Sequence, residues 1–262
     1  MLSSGIRIAA VLALVAATPA LARLSPEAYR HIGVSLPADA AAPADLSVTD
    51  ERGYKQTLGT LIAGPTVLVL ADYTCTTLCG PVIAFVGAAL DKSGLRAGKD
   101  FRLVVVGLDP RDGMADAARM RREHLGDDPG LARATTFVTA DDAAVRRLTA
   151  ALGYRYAYDA ENDQYVHPAA AYVLRADRRV ARVLTGLGLS GDDMRLALVE
   201  AGEGRVGTVR DTVRLLCSGF DPARGTYNLA VSRMLAASGL VTLLLLGGGI
   251  GCLVLAGRRR AA

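Results

Sequence analysis

Short runs of Val, Leu and Ile alternate along the chain with longer segments whose apolar residues recur every three or four positions. The short runs predict buried strands at residues 46–49, 66–72, 101–108, 135–139, 170–174 and 180–184. The periodic segments predict helices at residues 80–92, 114–125, 141–152, 192–201 and 209–216. Strands that alternate with helices of this length predict an α/β sandwich around a mostly parallel sheet.

Both ends of the chain carry apolar stretches with the features of targeting segments. Residues 8–17 are apolar, follow Arg7 and precede Ala20-Leu21-Ala22, which predicts a secretory signal cleaved after Ala22. An uncleaved anchor is the alternative for this segment. Residues 235–257 contain no charged residue and precede three arginines, 258–260, which predicts a membrane span with a cytoplasmic tail. The body between the two segments is therefore expected outside the cytoplasmic membrane.

These patterns divide the 262 residues into consecutive segments. They are a signal peptide (1–22), an irregular lead-in (23–45), a folded domain (46–205), a C-terminal extension (206–234), a transmembrane helix (235–257) and a tail (258–262). The net charge of +4 comes from 30 basic and 26 acidic residues that are interleaved, and there is no Trp. No pattern of basic and aromatic residues indicates nucleic-acid binding, so we expect the membrane and another protein as partners.

Cys75 and Cys79 lie where the predicted strand 66–72 passes into the predicted helix 80–92. If Cys79 is in the first helical turn, the spacing of four residues brings both thiols to one side, where the helix N-terminus favours thiolate. Such a pair can bind a soft metal, form a disulfide, or alternate between the two. Cys252 falls in the predicted span, and Cys217 is interpreted as a small buried apolar residue.

Of the three histidines, His167 is the candidate ligand, because it stands before a predicted strand and is followed by Pro168. A proline in this position biases His167 toward an extended backbone, and we expect a cis peptide bond between the two residues. His31 and His124 are predicted to be solvated surface residues. Two thiolates and one imidazole favour copper over a structural zinc ion, which usually takes four ligands.

The chain resembles the Sco/SenC family of thioredoxin-like copper proteins, which assist assembly of the CuA centre of cytochrome c oxidase. The resemblance is carried by Cys75-x-x-x-Cys79, by the distal His167, and by Asp109-Pro-Arg-Asp112 after the following strand. Residues 194–201 and 216–225 resemble a bacterial branch with a C-terminal span. The resemblance covers residues 40–230 and implies a thioredoxin-like domain with a central mixed sheet, copper bound by the two cysteines and the histidine, and a copper-bearing oxidase subunit or another copper protein as acceptor.

The sequence departs from the family pattern at two places. Gly80 separates Cys79 from Pro81, whereas the family has proline beside a cysteine, and no Asp precedes His167. The helix entry and the orientation of the imidazole are therefore expected to differ, because such a partner orients a metal-binding ring. Asp72 and Asp109, each at a predicted strand end, are candidates for that supporting role or for turns and helix caps.

Three functions are compatible with these residues. The first is a membrane-tethered periplasmic copper chaperone. The second is a thiol-disulfide oxidoreductase that reduces a target before metallation, in which Cys75 and Cys79 attack and resolve and His167 tunes the thiolate. The third is a peroxiredoxin-like or redox-sensing protein, although the chain does not resemble the peroxidatic signature Pro-x-x-x-Thr-x-x-Cys.

Overall fold

The computed structural model describes residues 30–77, 79–203, 205–222, 225–229 and 239–250. The predicted signal peptide and cytoplasmic tail lie outside these residues. Of the predicted span, residues 239–250 are described and are helical. Within the described part of the chain, we find no helix with both the length and the apolar character needed to span a membrane.

Strands and helices largely alternate between residues 55 and 151, as the sequence pattern predicts, whereas residues 154–185 hold five strands and no helix, of which the first three were not predicted. The strands are β1 (Gly33–Val34), β2 (Ser47–Asp50), β3 (Lys55–Thr57), β4 (Thr66–Ala71), β5 (Arg102–Gly107), β6 (Thr135–Thr139), β7 (Tyr154–Arg155), β8 (Ala157–Asp159), β9 (Gln164–Val166), β10 (Ala170–Leu174), β11 (Val180–Thr185), β12 (Ser218–Asp221) and β13 (Thr226–Leu229). The helices are α1 (Leu58–Leu61), α2 (Cys79–Lys92), α3 (Met114–His124), α4 (Pro129–Ala134), α5 (Asp142–Ala151), α6 (Gly191–Ala201) and α7 (Val209–Cys217).

Seven strands form a central sheet in the order β11-β10-β4-β5-β6-β2-β3. Only β4 with β5 and β5 with β6 are parallel, and the other neighbours are antiparallel. The expectation of a mostly parallel sheet is therefore wrong, whereas the mixed thioredoxin-like sheet is confirmed. Two of the antiparallel pairs, β2 with β3 and β10 with β11, are hairpins joined by short turns. The other two, β2 with β6 and β10 with β4, join segments far apart in the chain, so their direction cannot be read from the local pattern.

The central strand β4 is buried on both faces, and its residues alternate between two apolar clusters. Val67 and Val69 face α2, α3 and α6, while Leu68 and Leu70 face α1 and α5. A strand covered by helices on both sides reads as a continuous apolar run, which is why β4 stands out in the sequence. The carboxyl end of β4 is consequently fixed in the middle of the sheet, where it delivers the cysteine loop.

The segments flanking the predicted domain pack onto it. In the lead-in, β1 pairs with β7, and Ala40 and Ala42 are buried. In the extension, Arg195 on α6 forms an ion pair with Asp211 on α7 at 2.7 Å, and the β12–β13 hairpin places the Tyr227 hydroxyl 2.7 Å from Glu200. Residues on both sides of the central domain therefore contribute to one folded body.

Candidate thiol and metal site

The cysteine loop joins the end of β4 to the start of α2. Cys79 is the first residue of α2, and Cys75 lies four residues earlier in the loop, as the sequence predicts. Cys79 is buried at 2% exposure, whereas Cys75 is half-buried. Since the helix N-terminus carries unpaired N–H groups and a partial positive charge, it favours negative charge on a sulfur beside it.

The carboxylate of Asp72 organises this loop from the end of β4. Its Oδ1 accepts hydrogen bonds from the backbone N–H of Thr74 at 3.0 Å and of Cys75 at 3.1 Å. Its Oδ2 accepts one from the backbone N–H of Tyr165 in β9 at 2.8 Å. A single buried side chain thus connects the cysteine loop to the segment that leads to His167. This agrees with the interpretation of Asp72 as a residue that positions the candidate ligands.

Asp112 holds the same loop from the other side. Its carboxylate accepts hydrogen bonds from the backbone N–H of Tyr73 at 2.7 Å and from the Thr74 hydroxyl at 3.1 Å. The pKa of Asp112 is raised to about 6, first by burial and then by the nearby charges of Asp72 and Asp109, while these two hydrogen bonds oppose the shift. The Asp109-Pro-Arg-Asp112 stretch therefore contacts the cysteine loop through its last residue.

Asp109 takes the second of its two expected roles, that of a turn residue, because its Oδ1 accepts a hydrogen bond from the backbone N–H of Arg111 at 2.8 Å. It binds the Arg111 guanidinium at 2.6 Å, and Arg111 also reaches Asp163 at 2.8 Å. Asp163 lies in the turn between β8 and β9, so this chain of charges ties the hairpin to the end of β5. Through Arg111 and Asp163, Asp109 acts on the position of the hairpin and not on the cysteine loop.

His167 faces Cys79 across the site. The hairpin β8–β9 leads directly into His167, whose Nε2 lies 2.9 Å from the Cys79 Sγ. Burial lowers the pKa of His167 below its usual value, so the ring is neutral at physiological pH. The prediction that the His167-Pro168 loop faces the first turn of α2 is confirmed.

The opposite edge of the His167 ring contacts two oxygens. Nδ1 lies 2.7 Å from the hydroxyl of Tyr154 and 3.2 Å from the carbonyl oxygen of Pro168. The His167–Pro168 peptide bond is trans, so the expected cis bond is wrong. A trans bond is the usual state of an X–Pro pair and suits the extended entry into β10.

The two thiols differ in their readiness to ionise. The pKa of Cys75 is lowered to about 4, first because the Cys79 side chain hydrogen-bonds to it and then because Thr77 does, while burial opposes the shift. The pKa of Cys79 is raised, first because its S–H donates a hydrogen bond to the Cys75 sulfur and then because Cys79 is buried, and negative charge on Cys75 raises it as well. Cys75 is therefore the thiolate. Cys79 keeps its proton, and its S–H can donate to the Cys75 sulfur or to Nε2 of His167.

The thiols and the imidazole line a cleft of about 330 Å³. The Cys75 Sγ lies 3.6 Å from the Gln164 side-chain oxygen and 3.3 Å from the Thr77 hydroxyl. Leu187, at 42% exposure, lies at the rim. In the conformation described, no group of three or more His, Cys, Asp or Glu side chains among the described residues is arranged to hold a metal ion.

Neither His31 nor His124 is part of this cluster. His31 is exposed, as predicted. His124 is only partly exposed, because its ring packs against Gly80, and a side chain at position 80 would overlap that ring. The His124 side chain is still 32% exposed, so His124 is a surface residue as predicted, and its ring limits the space beside position 80. Cys217 ends α7, its side chain lies outside the described part, and so does all of Cys252.

Tyr154, Gln164 and Thr77 contact the site and were not identified from the sequence. Gln164 lies three residues before His167, at the start of the short strand β9. This closeness in the sequence was the only available signal for it. Tyr154 is 13 residues before His167 and on another strand, so no local pattern connects them. Only the pairing of distant segments in the fold brings this hydroxyl to the ring.

The fold and site define a thioredoxin-like protein with a Cys-x-x-x-Cys pair at a strand-to-helix junction and a histidine opposite. No protein-family model and no curated protein matches the sequence. Among solved structures, a putative electron transfer protein from Aquifex aeolicus is similar at 22% identity and a TM-score of 0.56, covering 64% of this chain and 94% of that chain.

Two Sco proteins are similar over the same part of the chain. ScoI from Arabidopsis thaliana with copper bound has 16% identity and a TM-score of 0.52, covering 62% of this chain and 97% of that chain. BsSco, a member of the Sco family of cytochrome c oxidase assembly proteins, has 17% identity and a TM-score of 0.52, with 65% and 98% covered. At these identities the likeness establishes that the chain has the fold of Sco/SenC proteins.

Proposed function

We propose that this protein is a membrane-anchored, extracytoplasmic copper chaperone that binds copper through Cys75, Cys79 and His167. The observation that carries the proposal is the 2.9 Å approach of the His167 Nε2 to the Cys79 Sγ, between residues 88 positions apart. Two sulfurs and an imidazole form a soft set of few ligands, which suits Cu(I). The acceptor we propose is the copper-bearing subunit of cytochrome c oxidase or another copper protein.

The residues at the site fit this cargo by their chemistry. Cys75 is already a thiolate, and metal binding would displace the proton of Cys79, because thiols bind metals in deprotonated form. His167 is neutral, which is the form of imidazole that binds metal. The Cys75 sulfur also contacts Thr77 and Gln164, and metal binding would replace these contacts. The metal bound in the Arabidopsis ScoI structure and the family described for BsSco support this interpretation.

Copper titration of the reduced full chain in detergent tests the proposal. We expect one Cu(I) per chain, and none after oxidation to a Cys75–Cys79 disulfide, because the disulfide removes both soft ligands. Cys75→Ser and Cys79→Ser should each abolish tight binding. His167→Ala should weaken it by roughly 10- to 1000-fold, given that loss of a residue supporting a ligand alone costs about 10- to 100-fold.

His31→Ala and His124→Ala are the matched controls for His167→Ala. Each removes one imidazole from the same chain, and both should leave Cu(I) affinity unchanged. Retention of parental affinity by His167→Ala would remove the basis of the chaperone proposal.

We further propose that the body is exported and anchored by one C-terminal span. Residues 239–250 form a helix whose large apolar side chains are exposed, among them Leu243 at 70% and Leu245 at 72%. Such side chains are stable where lipid replaces water. Reporters fused after residue 233 and after residue 262 should give opposite compartments, and a cytoplasmic signal from the first fusion would contradict the topology.

A thiol-disulfide oxidoreductase is the second candidate, favoured by the asymmetry of the two thiols. The half-buried Cys75 with its low pKa can attack a target disulfide, and the buried Cys79 can then attack the mixed disulfide to release the reduced target. The two electrons come from the Cys75–Cys79 dithiol, which becomes a disulfide. Exchange with a disulfide peptide that survives His167→Ala, together with unchanged copper affinity in that variant, would favour this candidate over the chaperone.

A further inference from the structure

Three polar atoms meet at the edge of the His167 ring that faces away from the cysteines. The Tyr154 hydroxyl oxygen lies 2.7 Å from Nδ1 of His167 and 2.9 Å from the carbonyl oxygen of Pro168. Nδ1 itself is 3.2 Å from the same carbonyl oxygen. The carbonyl can only accept hydrogen bonds, whereas the hydroxyl can donate one and accept others.

This triangle requires a proton on Nδ1. If Nδ1 had no proton, the single hydroxyl proton of Tyr154 could serve either Nδ1 or the Pro168 carbonyl. The acceptor without this proton would then face lone pairs of a neighbouring polar atom within hydrogen-bonding distance. An unpaired acceptor costs free energy where it is partly buried. With a proton on Nδ1, the ring donates to Tyr154 and Tyr154 donates to Pro168, so every contact has one donor and one acceptor.

The protonation states of both side chains agree with this arrangement. Burial raises the pKa of Tyr154 far above its usual value, so its hydroxyl keeps its proton. Burial lowers the pKa of His167, so the ring carries one proton and not two. A neutral imidazole with its proton on Nδ1 has a free lone pair on Nε2, and Nε2 is the atom that lies 2.9 Å from the Cys79 Sγ.

We propose that Tyr154 is a positioning residue that holds His167 in the Nδ1–H tautomer and turns the Nε2 lone pair toward the cysteines. The tautomer does not depend on a bound metal. Only its consequence for copper affinity rests on the proposed function. Tyr154 takes the place of an acidic partner before His167, which this sequence lacks. Tyr154 lies on β7, and β7 pairs with β1 of the lead-in.

The tautomer can be read directly in the metal-free, reduced full chain. With ¹⁵N-labelled histidine, the ring nitrogens of only three residues are observed, and protonated and unprotonated nitrogens of a neutral ring resonate far apart. We expect Nδ1 of His167 to be protonated in the parent protein. In Tyr154→Phe, which keeps the ring and loses the hydroxyl, we expect the population to shift to the Nε2–H tautomer, while His31 and His124 stay unchanged.

Tyr172→Phe is the matched control. Tyr172 is buried, packs 6.2 Å from Tyr154 between ring centroids, and donates its hydroxyl to the Leu152 carbonyl at 3.1 Å. Its loss removes a buried hydroxyl hydrogen bond without touching His167. Cu(I) affinity should fall about 10- to 100-fold in Tyr154→Phe and stay unchanged in Tyr172→Phe.

An Nε2–H tautomer in the parent, or an unchanged tautomer in Tyr154→Phe, would overturn the proposal. A shifted tautomer with unchanged copper affinity would overturn its role in metal binding. If the parent binds no Cu(I), the proposed function fails, and the nitrogen spectra of the parent and of Tyr154→Phe still decide the role of Tyr154. Should Tyr154→Phe not fold, the parent spectrum tests the tautomer and Tyr172→Phe shows whether loss of any buried hydroxyl in this cluster has the same effect.

Discussion

Asp72 accepts a hydrogen bond from the backbone N–H of Tyr165 at 2.8 Å, although 93 residues separate them. The other oxygen of the same carboxylate holds the N–H of Cys75 at 3.1 Å. The cysteine loop and the strand that leads to His167 are therefore positioned by one side chain.

Asp72→Asn should destabilise the protein and loosen the site. An amide replaces one accepting oxygen by an N–H donor, so a backbone N–H of either Tyr165 or the cysteine loop loses its acceptor. We expect a loss of about 1–3 kcal/mol in the free energy of unfolding, measured in urea. Asp45→Asn is the control, because Asp45 forms an exposed ion pair with Arg147 and should change stability much less than Asp72→Asn does. Equal effects of the two substitutions would contradict the bridging role.

Cys75 should be alkylated at a rate that barely changes with pH above its pKa of about 4. The thiolate is the reacting form, and above this pH nearly all of Cys75 is thiolate. Cys79→Ala removes the main cause of the shift, so the rate should then rise with pH toward an ordinary thiol pKa of about 8.5. Mass spectrometry of the peptide containing Cys75 after brief iodoacetamide treatment measures the rate. A parent protein with an ordinary pH profile would contradict the assignment of Cys75 as the thiolate.

Asp112 should make the protein less stable as pH rises from about 4 to about 6. Its folded-state pKa of about 6 lies above the ordinary value near 3.9, so the folded protein binds more protons than the unfolded chain in this window. Asp112→Asn removes this titration. The difference in unfolding free energy between parent and variant should therefore change across this window and become constant above it. A difference that does not vary with pH would show that the Asp112 carboxyl is not perturbed.

Gly80→Ala should have opposite effects in two backgrounds. In the parent, the added methyl group meets the His124 ring and should destabilise the start of α2. In His124→Ala the space is open, and the higher helix propensity of Ala should stabilise the protein by up to about 1 kcal/mol. Thermal or urea unfolding of the four proteins in this cycle measures the coupling. Additive effects would show that the ring does not constrain position 80.

The sequence predicted most of the fold because its signals are local. The continuous apolar run of β4 and the periodic pattern of α2 lie next to each other in the chain, so Cys75 and Cys79 could be placed at their junction. The antiparallel course of β10 against β4 could not be read in this way, because strand direction depends on pairing between distant residues. The same limit applies to Tyr154 and Asp112, whose contacts with the site exist only after the sheet has formed.

If the protein carries copper as we propose, the unequal burial of Cys75 and Cys79 would give the exchange of that metal a direction. An incoming ligand from another protein can reach the half-buried Cys75 sulfur from solvent. Cys79 is buried, and its sulfur contacts Nε2 of His167. The bond to Cys75 would therefore be replaced first and the bonds to Cys79 and His167 last. Delivery would proceed from the outer sulfur inward, and loading would end with the outer sulfur closing over the metal.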